Sequence, residues 1–224
     1  MPIHGNALAV MAKAPIGGMV KTRLVPPLSP AEAAELCRAL LLDQLGHLRA
    51  LAHADLYVAY TPADTRPVIE DLIPPEFRCF SQSGDELGAR MSHIFDHLLD
   101  EYRQVVLIGG DLPALPLPYL EQAFATLAEP GKRIVLGPSR DGGYYLVGMN
   151  RRTPEMFQSM RWSHDQVLSQ TLSKLAALGI KADFMPPWFD IDTVDDLRCL
   201  QSSTDPSLRD RLKHTLRLLP KLTF

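Results

Sequence analysis

The chain has 224 residues, 46% of them hydrophobic and 22% charged, which is enough for one sizeable core, and its length favours one domain over two. A formal net charge of -3, with basic residues interleaved among acids, excludes a general nucleic-acid binder, so an anionic ligand would need a local cationic pocket. Cys37, Cys79 and Cys199 lack the spacing of a zinc or redox pair and read as reduced thiols; the apolar run 7–12 is too short for a signal-peptide core, and no stretch approaches a membrane span. A cytoplasmic protein is expected.

Short β-like runs alternate with helical patterns. Residues 7–12 read as a first strand. Ser29-Pro30-Ala31-Glu32 predicts a helix start, with a serine cap, proline at the first helical position and a glutamate placed to close a capping box. Leu36, Leu40, Leu45 and Leu48 follow at helical spacing. Residues 56–60 read as a second strand, 61–74 as holding a short helix and 78–80 as a third strand. An amphipathic helix is predicted over 87–102, and the continuous apolar run 105–108 predicts a strand buried on both faces. Then come a helix over 118–127, strands over 134–136 and 144–147, and a helix over 165–178 ended by Gly179. A late strand over 181–185 and helices over 195–200 and 207–219 complete the pattern, residues 205–224 forming a helical extension. The alternation predicts a single α/β domain spanning 1–224 around a mostly parallel, doubly wound sheet, which would bind ligands beyond the carboxyl ends of its strands.

Four segments at such positions carry candidate chemistry. The first, residues 13–24, places Lys13, Lys21 and Arg23 beside Gly17 and Gly18 just after strand one. Glycines allow close backbone approach, arginine can bond two phosphate oxygens and lysine supplies a mobile point charge. The pattern is not a P-loop, because no glycine immediately precedes the Lys-Thr pair. The second, Ile108-Gly109-Gly110-Asp111-Leu112-Pro113, puts a carboxylate past the most hydrophobic strand, where a divalent cation bridging phosphates would sit.

The third, residues 137–145, holds Asp141, Gly142, Gly143 and Tyr144. Asp-Gly between two apolar strands fits a hairpin turn, while paired glycines and tyrosines fit a loop closing on a ligand, with Asp141 as base or acceptor-binding carboxylate. The fourth, residues 189–197, alternates Asp190 and Asp192 so that both point to one side of an extended segment, as a hard cation requires. Thr193 is placed to cap the next helix, with Asp195 and Asp196 in its first turn. The remaining histidines form no metal spacing: His93 and His97 stand four apart without an HExxH glutamate.

The succession KAPIGGMVKTRL, GDELGARM, IGGDLPAL, GPSRDGGYYLVGM, RWSHDQV and DIDTVDDL, spanning about residues 8–197, resembles a bacterial family of nucleotide-diphospho-sugar transferase-like proteins, some named as arsenosugar-biosynthesis glycosyltransferases. The resemblance implies a glycosyltransferase A-type fold, shared with molybdenum-cofactor and phospholactate nucleotidylyltransferases. It also implies that Lys13, Pro15, Gly17, Gly18, Lys21, Thr22 and Arg23 hold the base and phosphates of a nucleotide, with Gly84, Asp85 and Arg90 facing it. By the same likeness Asp111, with Asp190 or Asp192, would bind a divalent metal, Mg2+ or Mn2+. Gly142, Gly143, Tyr144 and Trp162 would form an acceptor loop. Where the family carries Thr or Ser then Asp-Cys-Pro, this chain has Gly110-Asp111-Leu112-Pro113, closer to the nucleotidylyltransferase pattern; where it carries Trp-Ser-Thr, this chain has Trp162-Ser163-His164, with His164 read as a helix-start residue.

The leading expectation is therefore a metal-dependent glycosyltransferase taking a nucleotide-sugar donor and a small-molecule acceptor. The alternative is a nucleotidylyltransferase joining a nucleoside triphosphate to a phosphorylated small molecule with release of pyrophosphate. A non-catalytic nucleotide-binding protein fits less well, because clustered carboxylates repel phosphates unless a metal intervenes.

Overall fold

The computed structural model describes residues 4–224, so residues 1–3 of the expected 1–224 domain fall outside the described residues. One seven-stranded sheet runs through the molecule. In chain order its strands are β1 (His4–Lys13), β2 (Asp55–Thr61), β3 (Phe77–Ser81), β4 (Tyr102–Gly109), β5 (Ile134–Pro138), β6 (Tyr144–Met149) and β7 (Ala182–Phe184). Their spatial order is β3-β2-β1-β4-β6-β5-β7. All neighbours run parallel except β6, which is antiparallel to both β4 and β5. The chain is thus a mostly parallel, doubly wound α/β protein, as its alternating pattern predicts.

Alternation along β1 builds two of the core layers. Leu8, Val10 and Ala12 face one side, where α1 (Pro30–Leu48) contributes Leu41, Leu45 and Leu48, and α4 (Leu117–Ala128) contributes Leu120, Ala123, Phe124 and Leu127. Ala7 and Ala9 face the other side, against Met91, Ile94, Phe95 and Leu98 of α3 (Leu87–Leu98) and Leu175 of α5 (Val167–Ala177). A short helix α2 (Arg66–Glu70) joins β2 to β3, inside the span where a short helix is expected. The capping box at Ser29 is present: Ser29 Oγ accepts from the Glu32 amide at 3.2 Å and Glu32 Oε2 accepts from the Ser29 amide at 2.8 Å.

Most element ends shift by one to three residues, and two departures from expectation are larger. The helix predicted over 87–102 ends at Leu98, and Tyr102 opens β4 instead. Tyr102 is buried at the foot of the sheet. Its hydroxyl donates to Asp55 Oδ2 at 2.5 Å and lies 2.9 Å from the Tyr57 hydroxyl, a partnership no helical position would offer. The helix predicted over 207–219 is two helices, α7 (Pro206–Arg211) and α8 (Lys213–Leu218), which follow α6 (Val194–Ser202). The break falls at buried Leu212, because Asp43 of α1 reaches across and accepts from the amides of His214 and Thr215, each at 2.8 Å, capping α8 from another element. A third apolar cluster, including Leu24, Leu36, Leu40, Ile191, Leu197, Leu208 and Leu212, seats this C-terminal segment over α1. Among the described residues no helix is long and apolar enough to cross a membrane.

Candidate active site

The carboxyl ends of β1 and β4 open on one cleft, joined there by the amino end of antiparallel β6. It encloses about 610 Å3, within the range of small-molecule sites. The floor is the end of β4. Gly110 is required there: a Cβ would stand 2.8 Å from the Met11 carbonyl oxygen and 3.2 Å from Ala12 Cα, so only glycine lets the turn pass against β1. The Gly109 carbonyl accepts from Gln44 Nε2 of α1 at 2.9 Å, which leaves the chain free to turn and present Asp111 to the cleft.

The segment after β7 brings the second carboxylate group. Tyr145 Oη donates to the Pro186 carbonyl at 2.9 Å, the Trp188 amide donates to the Pro138 carbonyl at 3.1 Å, and Trp188 Nε1 donates to the Pro113 carbonyl at 3.1 Å. Ile191 is then fully buried in the third apolar cluster, and its neighbours Asp190 and Asp192 both face the cleft, as their alternation predicts. Ser139 Oγ donates to Asp190 Oδ2 at 3.1 Å. Burial, then the adjacent charge of Asp111, pushes the Asp190 carboxyl up to about 7. Thr193 caps α6 through a second capping box with Asp196, so Asp196 serves the helix rather than the cleft.

The basic loop meets these carboxylates directly. Lys21, held in the left-handed backbone region at φ 48°, directs its ammonium to Asp111 Oδ2 at 2.5 Å, the Ile191 carbonyl at 2.5 Å and Asp192 Oδ1 at 3.1 Å. Its side chain is only 4% exposed. Burial alone would lower the Lys21 pKa, but the charges of Asp111 and Asp192 outweigh it and hold it above its ordinary range. Arg23 reaches Asp192 Oδ2 at 3.3 Å from a largely exposed position, and Lys13 stands exposed at the end of β1.

The opposite wall is the β5–β6 turn and the approach to α5. The turn is a hairpin connection: the Gly142 amide donates to the Ser139 carbonyl at 3.3 Å and the Ser139 amide to the Gly143 carbonyl at 3.1 Å. Asp141 lies on the cleft, with Oδ1 accepting from the Gly143 amide at 3.0 Å. Gly142, at φ 85°, is pressed against α5's approach so tightly that a Cβ would meet the Asp165 carbonyl oxygen at 2.0 Å. α5 begins at Val167 rather than at the expected 165, so His164 lies in the turn before the helix, where its Nδ1 accepts from the Gln166 amide at 3.0 Å, and the residue also borders the cleft. Trp162 packs on Gly88 of α3, where a Cβ would come within 2.7 Å of the indole.

Of the expected site residues, Lys13, Lys21, Thr22 and Arg23 line the cleft from the basic loop. Asp111, Asp190 and Asp192 line its floor, and Asp141, Gly143, Tyr144 and Trp162 its far wall. Pro15, Gly17, Gly18 and Gly142 belong to the same loops without lining it. Gly84, Asp85 and Arg90 stand before and in the first turn of α3, where Arg90 Nε donates to the Gly84 carbonyl at 2.9 Å, and do not line it either. Their neighbours Leu87 and Met91 do, with Met19 and Asp165; Leu87 and Met91 fall in the amphipathic helix predicted over 87–102, and nothing in the pattern singled out any of the four as a site residue. Among the described residues, no group of three or more His, Cys, Asp or Glu side chains converges as a metal cage.

This sheet order and this cleft define an α/β protein of the nucleotide-diphospho-sugar transferase-like class. More particularly, the chain belongs to the family described as uncharacterized proteins conserved in bacteria, DUF2064, which matches residues 44–164. It is similar to a crystal structure from Desulfovibrio desulfuricans G20, provisionally named a nucleotide-diphospho-sugar transferase, with 31% identity, a TM-score of 0.86 and 98% of each chain covered. Two more distant structures share the fold. One is a cytidylyltransferase from Leptospira borgpetersenii serovar Hardjo-bovis (12% identity, TM-score 0.59, 99% of each chain). The other is CMP:2-keto-3-deoxy-manno-octonic acid synthetase complexed with CTP (10% identity, TM-score 0.57, 88% of this chain and 96% of that one). Two of these three structures are transferases by name, and the third is named a synthetase. No match was found among the curated proteins.

Proposed function

We propose that this protein is a glycosyltransferase that takes a nucleotide-sugar donor with a divalent cation, Mg2+ or Mn2+, and transfers the sugar to a small uncharged acceptor. One observation carries the choice: among the described residues, all the lysines and arginines of the cleft, Lys13, Lys21 and Arg23, come from the end of β1 and the loop that follows it. The far wall of Asp141, Tyr144, Trp162, His164 and Asp165 has none. Arg140, next to Asp141, is instead drawn over the Phe189 ring, 4.8 Å from its centroid. A donor diphosphate fits the basic loop, whereas a phosphorylated acceptor facing two carboxylates would lack a counter-charge. An aromatic face beside carboxylates suits a hydroxylated acceptor.

The donor set fits a hard cation. Asp111 and Asp190 present oxygens to a shared space: a Cβ at Gly109 would stand 3.4 Å from Asp111 Oδ1 and 3.9 Å from Asp190 Oδ1. Two carboxylates without a complete cage suit Mg2+, which usually keeps waters and completes its shell with substrate phosphates. A bound cation there would neutralise charge building on the departing nucleoside diphosphate. Lys13 and Arg23 would hold the phosphates in place. Asp141, whose Oδ1 is occupied by the Gly143 amide, keeps Oδ2 to orient an acceptor hydroxyl or take its proton.

Nucleotidyl transfer runs on the same fold, so the fold does not separate the two chemistries. Incubation with nucleotide sugars and, separately, nucleoside triphosphates, each with Mn2+ and an acceptor panel, does. Release of nucleoside diphosphate supports the proposal; release of pyrophosphate with a phosphorylated acceptor replaces it with nucleotidyl transfer.

A further inference from the structure

We propose that Lys21 is a tethered counter-ion that guards the carboxylate site, weakening its hold on free divalent cations until a nucleotide's phosphates draw the ammonium away. This rests on the metal reading above and adds its regulation. An ammonium has three N–H donors, and Lys21 has three acceptors within 3.1 Å: Asp111 Oδ2, the Ile191 carbonyl and Asp192 Oδ1. All its hydrogen bonds are therefore spent on the carboxylate floor. The side chain is 4% exposed while Asp111 and Asp192 are 35% and 39% exposed, so the ammonium backs the carboxylates and the carboxylates face the ligand space.

Charge decides what an arriving cation meets. Asp111, Asp190 and Asp192 together carry at most three negative charges, and Lys21 and Arg23 cancel two of them. Two carboxylate oxygens are also already bonded by the ammonium. A divalent ion arriving alone faces a nearly neutral site with a fixed positive charge behind it. A nucleotide changes both terms. Its phosphates offer new acceptors to Lys21, and they bring negative charge to the ion. Metal and nucleotide then bind with positive coupling, each raising the affinity for the other by the same factor. Lys13 cannot replace Lys21 in this role, because it is exposed at the end of β1 and makes no ion pair among the described residues.

The test is Mn2+ binding followed by electron paramagnetic resonance of the free ion, on the full chain, with and without uridine diphosphate, corrected for Mn2+ bound to the nucleotide in solution. Wild type is compared with Lys21→Met, which keeps an unbranched stem but lacks the ammonium, and Lys21→Gln, a polar second variant if methionine disturbs the fold. Both variants are expected to bind Mn2+ alone at least about tenfold more tightly than wild type, and to lose at least about tenfold of the enhancement that the nucleotide produces in wild type. If wild type binds Mn2+ with the nucleotide but neither variant gains affinity for Mn2+ alone, the guard is overturned and the metal site stands. If no protein binds Mn2+ under either condition, the metal reading itself falls.

Discussion

Ser139 Oγ donates to Asp190 Oδ2 at 3.1 Å, tying the β5–β6 turn to the segment after β7 across fifty-one positions of chain. That bond helps hold a buried carboxyl against Asp111, whose charge adds to the effect of burial in raising the Asp190 pKa to about 7. A carboxyl that binds its proton more tightly folded than unfolded favours the fold at low pH, and this contribution is lost as pH rises from about 4 to about 7. Asp190→Asn keeps an acceptor for Ser139 and removes the charge. In metal-free buffer it should stabilise the protein at pH 8 by roughly 1–3 kcal/mol and change it little at pH 4. Calorimetric melting at both values checks this; equal shifts at both would mean that Asp190 titrates as an ordinary carboxylate.

Asp111→Asn should leave the fold intact, because the residue is part-exposed at the end of β4, and should abolish the metal-dependent part of nucleotide binding. Titration calorimetry with a nucleoside diphosphate, with and without Mn2+, reads this directly. A mutant that retains the full Mn2+ enhancement removes Asp111 from the metal site.

Lys13→Ala and Arg23→Ala should weaken a nucleoside diphosphate far more than the bare nucleoside. Each charge-assisted bond to phosphate is worth about 1.5–3 kcal/mol, which corresponds to roughly ten- to hundredfold in affinity. Both side chains are exposed, so stability should change little. Equal loss for the two ligands would move the loop's contact from the phosphates to the base or sugar.

Asp141→Asn separates two roles of one residue. As a turn residue Asp141 accepts from the Gly143 amide, which asparagine also does. As a base or acceptor anchor it needs its charge. The expected result is near-normal nucleotide affinity with turnover reduced at least about tenfold, a conservative part of the ~10²–10⁴ that general-base assistance supplies. Wild-type turnover in the mutant would leave Asp141 a turn residue only.

Asp43→Ala tests how the C-terminal helices are held. Asp43 is buried and takes two α8 amides, so its loss should cost about 1–3 kcal/mol and expose residues 205–224 to protease. Melting and limited proteolysis, read together, check it; loss of stability without new cleavage in this segment would place the effect elsewhere.

Much of this architecture was legible in the residues themselves, because it rests on local chemistry. Periodicity distinguishes strand from helix, the Ser29 and Thr193 capping boxes each lie within four residues, and an aspartate after an apolar strand must emerge at the strand's carboxyl end. Alternation alone sets Asp190 and Asp192 on one side of their segment, and the tertiary structure adds only that buried Ile191 fixes which side. Long-range partners decided the rest. Tyr102 leaves its predicted helix because Asp55 and Tyr57 lie beside it only in the folded sheet, and the last helix breaks because Asp43, over 170 residues away, caps α8. The same holds for Lys21. Its sequence neighbours mark it as a phosphate ligand, and only the fold brings Asp111 and Asp192 within reach of its ammonium. Local propensity is written in a few adjacent residues, whereas the partner of a buried charge depends on which distant strands close into one sheet.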